Sequence, residues 1–189
     1  MVIGGTNTTS SMVEWTMSEL MLHHEVIRKV QEELTEVVGI NNTVEEFHVQ
    51  KSPYLHAVVK EALRLHRPTP LLLPRWTIQD CKAGGCTIPK GTKVFLNVWA
   101  MHRDPQFWDS PSEFRPERFF YFGSNFEYLP FGSGKRICAG LPLGERMLMY
   151  VLATFLHMFN WKLPTRYRAR SLRKVGNCSR ESNTTSCYS

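Results

Sequence analysis

The chain has 189 residues, of which 42% are hydrophobic and 21% charged, enough for one large domain with a sizeable core. The net charge of +6 does not indicate nucleic-acid binding, because residues 165–189 carry six basic residues and one acid and leave the rest nearly neutral. The five cysteines are odd in number and form no CxxC pair, so a secreted disulfide framework is not expected. No run of residues is apolar for long enough to cross a membrane, so no anchor is expected in this chain.

Four helices are predicted before the first proline-rich stretch, from apolar residues at helical spacing or from capping signals: residues 1–22, 26–38, 44–51 and 53–66. Gly39 is expected to end the second helix. Thr43 is the candidate N-cap of the third helix. Ser52 is the candidate N-cap of the fourth, where Pro53 takes the first helical position.

Short strands are predicted after these helices, at residues 71–78 and 93–98. Between them, Gly84 and Gly85 have the chemistry of a tight turn. We therefore expect the flanking cysteines, Cys81 and Cys86, to lie in a hairpin rather than to bind zinc.

The second half of the chain is predicted to be less regular. Residues 104–129 have no clear period and are expected to form a long ordered meander. A helix is expected to follow and to end near Phe159. Residues 165–189 lose the apolar period and are expected to form a basic, disordered tail.

The loop of residues 130–140 presents one cysteine, Cys138, after a glycine-rich, basic stretch. Gly132 and Gly134 allow the backbone to turn tightly and to approach a flat ligand. Cys138 is expected at the start of a helix, where unpaired N–H groups and the helix dipole favour a thiolate, and Arg136 adds positive charge. A thiolate held in this way is a strong axial ligand for haem iron. The alternative is a buried structural cysteine before a helix.

The pattern Phe-Gly-x-Gly-x-Arg-x-Cys-x-Gly is complete over residues 131–140 and resembles the cysteine-ligand loop of the cytochrome P450 (haem-thiolate monooxygenase) family. The resemblance implies a mainly α-helical fold with a small β-sheet. Residues 1–164 would then form the C-terminal haem-binding part of that fold. It also makes Cys138 the iron ligand, and we expect Phe131 to pack near the sulfur and shield it.

A second motif places Glu61 and Arg64 three residues apart, on one face of a predicted helix. An ion pair of this kind on a surface is worth little, but its apolar neighbours indicate a buried helix, in which both charges need partners. The run resembles the family's Glu-x-x-Arg motif, and Arg118, within Pro-Glu-Arg-Phe, matches the third member. The resemblance implies a structural salt-bridge triad that holds the meander against the core.

Two arginines are candidates for binding the haem propionates. The resemblance assigns this role to Arg75, in a predicted strand, and to Arg136, in the cysteine loop. Forked guanidinium groups suit carboxylate ligands of this kind. For Arg75 the alternative is an exposed arginine at the edge of a sheet.

The first predicted helix contains Gly4 and Gly5, which are costly in a helix interior. We expect either a close approach to a flat ligand or a local bulge there. The segment resembles the family's oxygen-binding segment and puts Thr8 in the alcohol position. Asn7 stands where the family usually has an acid, and an amide can orient water but cannot shuttle a proton.

The resemblance as a whole implies a haem-thiolate monooxygenase that uses O₂ and electrons from an NADPH-cytochrome P450 reductase. Three runs, at residues 97–100, 102–105 and 126–130, are most similar to plant microsomal members that hydroxylate small apolar terpenoid- or phenylpropanoid-like substrates. For full-length members the family implies the cytosolic face of the endoplasmic reticulum membrane, whereas this chain alone, without an anchor, can be cytosolic.

Two other functions remain open at this point. Family members are far longer, so one alternative is a truncated haem-binding fragment without turnover. The other is a haem-thiolate isomerase or dehydratase, which needs neither O₂ nor electrons and would tolerate Asn7. Thr8 argues against the isomerase, and the missing N-terminal half argues for the fragment.

Overall fold

The computed structural model describes residues 2–121 and 127–162. Within them the expected fold class is confirmed, because α-helices dominate and the β-structure is limited to two antiparallel pairs of short strands. The helices are α1 (Val2–Leu22), α2 (His24–Val38), α3 (Glu46–Gln50), α4 (Pro53–Leu65), α5 (Val98–Met101) and α6 (Leu141–Met158). The strands are β1 (Arg75–Trp76), β2 (Cys81–Ala83), β3 (Cys86–Ile88) and β4 (Lys93–Val94). Two 3-10 turns cover Pro116–Phe120 and Gly134–Arg136.

The hydrophobic core lies between α1, α2, α4 and α6. α2 buries one apolar face, formed by Val26, Ile27, Val30, Leu34 and Val38, and its charged residues other than Glu33 are exposed. α4 is buried on almost all sides, with His56 and Lys60 as its more exposed positions after the first turn. The charged residues of α4 must therefore find partners inside the protein.

The predicted cap of the short helix is wrong. α3 begins after Glu45 rather than after Thr43. The side chain of Glu45 accepts from the backbone N–H of His48, and the backbone N–H of Glu45 donates to His48 Nδ1 at 3.0 Å. This reciprocal pair satisfies two N–H groups at the start of α3.

The predicted cap of α4 is also wrong, because the capping group comes from another helix. Ser52 makes no capping bond, and its hydroxyl donates to the carbonyl of His48 at 3.1 Å. The carboxylate of Glu33, on α2, accepts instead from the N–H groups of Tyr54 and Leu55 at 2.7 and 3.0 Å. A carboxylate at this end also complements the helix dipole.

The first predicted strand is much shorter than expected. Of residues 71–78, β1 includes only Arg75 and Trp76. Leu72 has a φ of 52°, in the left-handed region, and its N–H donates to the carbonyl of Thr69 at 3.1 Å. The chain therefore turns here before the strand begins.

The second predicted strand, residues 93–98, is shortened in the same way. β4 ends at Val94, and Asn97 then starts a short helix. The side chain of Asn97 accepts from the N–H of Ala100 at 3.1 Å, which is the usual role of an N-cap.

The predicted hairpin is confirmed. β2 pairs with β3, and Gly84 and Gly85 form the turn with φ of 56° and 79°. Cys81 and Cys86 are both free and exposed. Among the described residues, no cluster of three or more His, Cys, Asp or Glu side chains is arranged to hold a metal ion.

None of the helices in the described ranges is both long enough and apolar enough to cross a lipid bilayer. The predicted tail, residues 165–189, lies outside these ranges, as does the part of the predicted meander from residue 122 to residue 126.

Candidate cofactor-binding site

Cys138 is exposed near the end of a loop that its own backbone closes. The N–H of Cys138 donates to the carbonyl of Phe131 at 3.0 Å, and its carbonyl accepts from the N–H of Leu141 at 3.2 Å. The cysteine was expected at the start of a helix, and it lies three residues before Leu141, the first residue of α6, whose N-cap is Gly140. Both of its backbone groups are therefore fixed, while the thiol faces outward.

The two loop glycines are needed for the shape of this loop. Gly132 and Gly134 have φ of 77° and 65°, a region that residues with a side chain rarely adopt. A Cβ at Gly132 would also lie 3.4 Å from Leu72 Cδ1 and 3.9 Å from Arg75 Nη2. The loop therefore passes close to the segment that leads into β1.

Phe131 is half-buried against the first turn of α6. A Cβ added to Gly144 would lie 4.0 Å from Phe131 Cε1, so the absence of a side chain at Gly144 leaves room for the ring. The backbones of Phe131 and Cys138 are hydrogen-bonded, and the shielding of the sulfur by the Phe131 ring stays a prediction.

The two candidate propionate ligands differ in exposure. Arg75 is half-buried, and its guanidinium group is beside Gly132. Arg136 is exposed at the end of the 3-10 turn, two residues before Cys138. Arg75 therefore lies beside the turn of the cysteine loop, and Arg136 belongs to the loop itself.

Glu61, Arg64 and Arg118 are in direct contact. Arg64 donates to both carboxylate oxygens of Glu61 at 2.8 Å, and Arg118 Nε donates to Glu61 Oε1 at 3.1 Å. The side chains of Glu61 and Arg64 are completely buried, and that of Arg118 is 11% exposed. Burial lowers the pKa of Arg118, and the carboxylate of Glu61 opposes this effect.

This ion cluster also fixes the backbone of the meander. Arg64 donates to the carbonyls of His102, Pro111 and Glu113 at 2.6, 2.7 and 3.1 Å. Glu61 Oε1 accepts from the backbone N–H of Arg115 at 2.9 Å. Buried charges are tolerated when their remaining donors and acceptors are satisfied in this way.

His102 was not predicted as a functional residue. It is fully buried, and its ring nitrogens contact the carbonyl of Arg64 at 3.2 Å and the N–H of Leu129 at 3.0 Å. Arg67, also buried and also missed, donates to the carbonyl of Leu129. The hydrogen-bond partners of both side chains are backbone groups, which no sequence motif reveals. The sequence gives no signal for either residue beyond its closeness to motifs singled out for other reasons.

The helix with the candidate oxygen-side residues is regular. α1 is α-helical through Gly4 and Gly5, so the local bulge considered from the sequence is not present. The hydroxyl of Thr8 donates to the carbonyl of Gly4, one turn earlier, and Asn7 is exposed. A Cβ at Gly4 or at Gly5 would meet no atom within 4 Å, so packing within the described residues does not require these glycines.

The predicted residues thus form separate groups. Cys138, Phe131, Gly132, Gly134 and Arg75 lie together, and the ion cluster of Glu61 lies beneath the meander. α1 packs against α6, the helix that follows Cys138. Within the described ranges, no hydrogen bond joins Asn7 or Thr8 to the cysteine loop.

Comparison with known proteins gives a consistent result. A family model described as cytochrome P450 matches residues 1–185. Cytochrome P450 76A1 of Solanum melongena is 49% identical over 177 residues, which cover 91% of this chain and 38% of that protein. An iridoid oxidase of Catharanthus roseus is 49% identical over 168 residues, which cover 86% of this chain and 33% of that protein.

The fold is similar to a solved structure as well. A zebrafish cytochrome P450, determined with progesterone, has a TM-score of 0.83 and 36% sequence identity. The match covers 88% of this chain and 39% of the zebrafish chain. The chain therefore spans little more than a third of the length of the proteins that it matches.

Proposed function

The chain belongs to the cytochrome P450 family, and from this premise we propose that it is the haem-binding part of a haem-thiolate monooxygenase. The proposed reaction is the hydroxylation of a small apolar, terpenoid- or phenylpropanoid-like substrate. The observation that supports it most directly is the exposed thiol of Cys138, in a loop shaped by two glycines with positive φ. Arg136 lies two residues before this cysteine in the chain, and positive charge close to an exposed thiol favours the thiolate that binds metals.

The residues around Cys138 fit a haem. Cys138 would bind the haem iron through its sulfur, and the ring of Phe131 would shield that sulfur from water. Arg75 and Arg136 would bind the two propionates through charge-assisted hydrogen bonds. Bound through a thiolate, haem supplies the activation of O₂ that lets one oxygen atom enter a C–H bond.

On the oxygen side we assign the hydroxyl to Thr8 and the neighbouring polar group to Asn7. The Thr8 hydroxyl donates to the Gly4 carbonyl, and it would have to rotate away from that carbonyl to donate to a ligand. Asn7 is exposed and can orient water through its amide, but it cannot release a proton as a carboxyl group can. This difference favours the haem-thiolate isomerase or dehydratase as a second candidate, since such enzymes need no proton delivery to oxygen.

The proposal includes the usual partners of the family. Electrons would come from an NADPH-cytochrome P450 reductase, and the complete enzyme would work at the cytosolic face of the endoplasmic reticulum membrane. The iridoid oxidase among the relatives supports a small apolar substrate. The described residues include those that we propose to bind haem, and we assign no substrate pocket to them.

The thiolate ligand can be tested on the chain itself. The purified chain is loaded with hemin, reduced and exposed to carbon monoxide, and we expect the red-shifted Soret band of a thiolate complex. Cys138→Ala should abolish this band, whereas Cys86→Ala, at another exposed free cysteine, should leave it intact. A thiolate band that survives in Cys138→Ala, or that disappears in Cys86→Ala, would overturn the proposal.

A further inference from the structure

Leu129 is the second residue before Phe131, and both of its backbone polar groups are held by buried side chains. Its N–H donates to His102 Nε2 at 3.0 Å, and its carbonyl accepts from Arg67 Nη2. The same carbonyl also accepts from the N–H of Gly132 at 3.1 Å. Leu129 is therefore the fixed point from which the cysteine loop begins.

The hydrogen bonds of His102 define its tautomer. Because the N–H of Leu129 points at Nε2, that nitrogen must be the acceptor, and the ring proton must lie on Nδ1. Nδ1 then donates to the carbonyl of Arg64 at 3.2 Å. The ring is stacked on Tyr128, with a centroid separation of 5.4 Å, and meets Trp108 edge-on at 6.3 Å. Both polar atoms of His102 are thus satisfied, and packing fixes the plane of the ring.

The charges around His102 keep it neutral. Burial, followed by the positive charge of Arg67, lowers its pKa to about 3, and Arg64 and Arg103 act in the same direction. The hydrogen bond to the carbonyl of Arg64 is the opposing influence. Nε2 therefore stays available as an acceptor throughout the neutral range of pH.

A short series of contacts connects this ring to the cysteine. His102 holds Leu129, the carbonyl of Leu129 closes the turn at Gly132, and the carbonyl of Phe131 holds the N–H of Cys138. On its other side, His102 contacts Arg64, the centre of the buried ion cluster. The imidazole thus joins the rigid cluster on α4 to the loop that presents the thiol.

We propose that His102 is a positioning residue for Cys138, because it sets the start of the cysteine loop through the N–H of Leu129. The proposal rests on the proposed function in one respect, namely that the thiol of Cys138 is the group whose position matters. It does not require that His102 touch the cofactor or the substrate. It predicts that the bond to Leu129, and not the mere presence of a polar side chain, controls the loop.

Two substitutions separate the two hydrogen bonds of the ring. His102→Gln places an amide near the position of Nε2, so it can keep the bond to Leu129. His102→Asn places its amide near the position of Nδ1, so it can keep the bond to Arg64 and loses the bond to Leu129. Tyr128→Phe is the matched control, since it removes one neighbouring hydrogen bond, to the carbonyl of Lys60 at 3.1 Å, and leaves both bonds of the ring intact.

The first readout uses the chain without hemin. Amide hydrogen exchange at Leu129 and Cys138 should be faster in His102→Asn, by about five- to tenfold, the effect of one lost hydrogen bond. In His102→Gln and Tyr128→Phe the rates at both amides should stay close to those of the unsubstituted chain. Equal rates in His102→Asn and His102→Gln would overturn the proposal.

The second readout uses the hemin-loaded chain and the band of the reduced carbon monoxide complex. We expect a lower proportion of the thiolate band in His102→Asn than in His102→Gln, at equal hemin content. If the unsubstituted chain gives no thiolate band, the proposed function is wrong. The amide hydrogen exchange experiment still tests the role of His102 in that case. If it gives the band and both variants retain it equally, the positioning role fails.

A measurement on the unsubstituted chain tests the proposal even if the variants do not fold. The nitrogen chemical shifts of the His102 ring should show an unprotonated Nε2 and a protonated Nδ1 at neutral pH. The opposite tautomer would overturn the proposal, because Nε2 would then be unable to accept from Leu129.

Discussion

Two regions of the molecule use charged and polar side chains in opposite ways. Around Glu61 the side chains are buried, and the ionic groups use their donors and acceptors on one another and on the backbone of the meander. Around Cys138 the backbone is fixed, but the thiol and the guanidinium of Arg136 face outward. The first region gains stability from complete pairing, whereas the second leaves the groups that a ligand would need available. The difference separates residues that hold the fold from residues that we propose to act on a ligand.

The largest expected effect is a loss of stability caused by a substitution in the buried region around Glu61. Glu61→Ala leaves the guanidinium of Arg64 buried and without its carboxylate, so we expect the free energy of unfolding to fall by about 3–5 kcal/mol. Urea unfolding followed by circular dichroism measures the loss. Asp109→Ala is the control, because its ion pair with Arg115 is exposed and is expected to leave the unfolding midpoint unchanged. Similar midpoints for the two variants would mean that the charges of the cluster are solvated.

A second experiment tests the link between the regions by varying pH. An unfolded chain protonates its histidines below a pKa of about 6.5, whereas burial lowers that of His102 to about 3 in the folded protein. Its contribution is therefore fully present above pH 6.5 and is lost as the pH falls, by up to about 1.4 kcal/mol per pH unit. Unfolding measured between neutral pH and about pH 5 should show this slope.

The same pH series with His102→Gln isolates the contribution of this one residue. Half-buried His56, whose pKa is also lowered by burial, remains in both proteins and contributes equally to each. We expect a shallower slope for the variant. Parallel curves would show that His102 is protonated in the folded protein.

Substitutions in the region around Cys138 should change the affinity for haem rather than the stability of the fold. Arg75→Leu removes a charged donor beside Gly132, so we expect the Kd for hemin to rise by about tenfold or more, the effect of one hydrogen bond to a charged group. Arg146→Leu, which loses an exposed contact with Glu46 on α3, should leave the Kd unchanged. An unchanged Kd for Arg75→Leu would leave Arg75 as an ordinary arginine at the edge of a sheet.

The smallest expected effects are changes in stability when glycine is replaced by alanine, at a position with positive φ and at a position within a helix. Gly132→Ala should destabilise the chain by about 1–2 kcal/mol, because its φ of 77° disfavours a side chain and Leu72 lies 3.4 Å from the added methyl group. Gly5→Ala should instead stabilise the chain without hemin by about 1 kcal/mol, since it lies within α1 and the methyl group meets no atom within 4 Å. Thermal unfolding of both variants measures the contrast, and shifts of the same sign would contradict it.

Much of the helical framework could be predicted from sequence because it depends on local patterns. The periods of α1, α2 and α4 are visible without any knowledge of their neighbours. The cap of α4 could not be predicted, because Glu33 reaches it from another helix. The length of the strand at residues 71–78 was overestimated, because the chain makes a left-handed turn at Leu72, a conformation that the sequence of a leucine does not indicate.

The site divides in the same manner. The contacts among Glu61, Arg64 and Arg118 could be predicted from the sequence, because their residue types and spacings are distinctive. The role of Cys138 was proposed on the same kind of pattern and stays a prediction. His102 could not, since its partners are a carbonyl and an N–H from distant, irregular segments, and backbone groups leave no trace in a sequence.

The central claim is that the sulfur of Cys138 binds haem iron, and the most direct measurement is the iron–sulfur vibration. Resonance Raman spectra of the ferric, hemin-loaded chain are compared for natural-abundance and ³⁴S-labelled cysteine. We expect a low-frequency line that shifts with the isotope, is absent in Cys138→Ala and persists in Cys81→Ala and Cys86→Ala. A spectrum with no isotope-sensitive line, or with one that persists in Cys138→Ala, would contradict the assignment of the site.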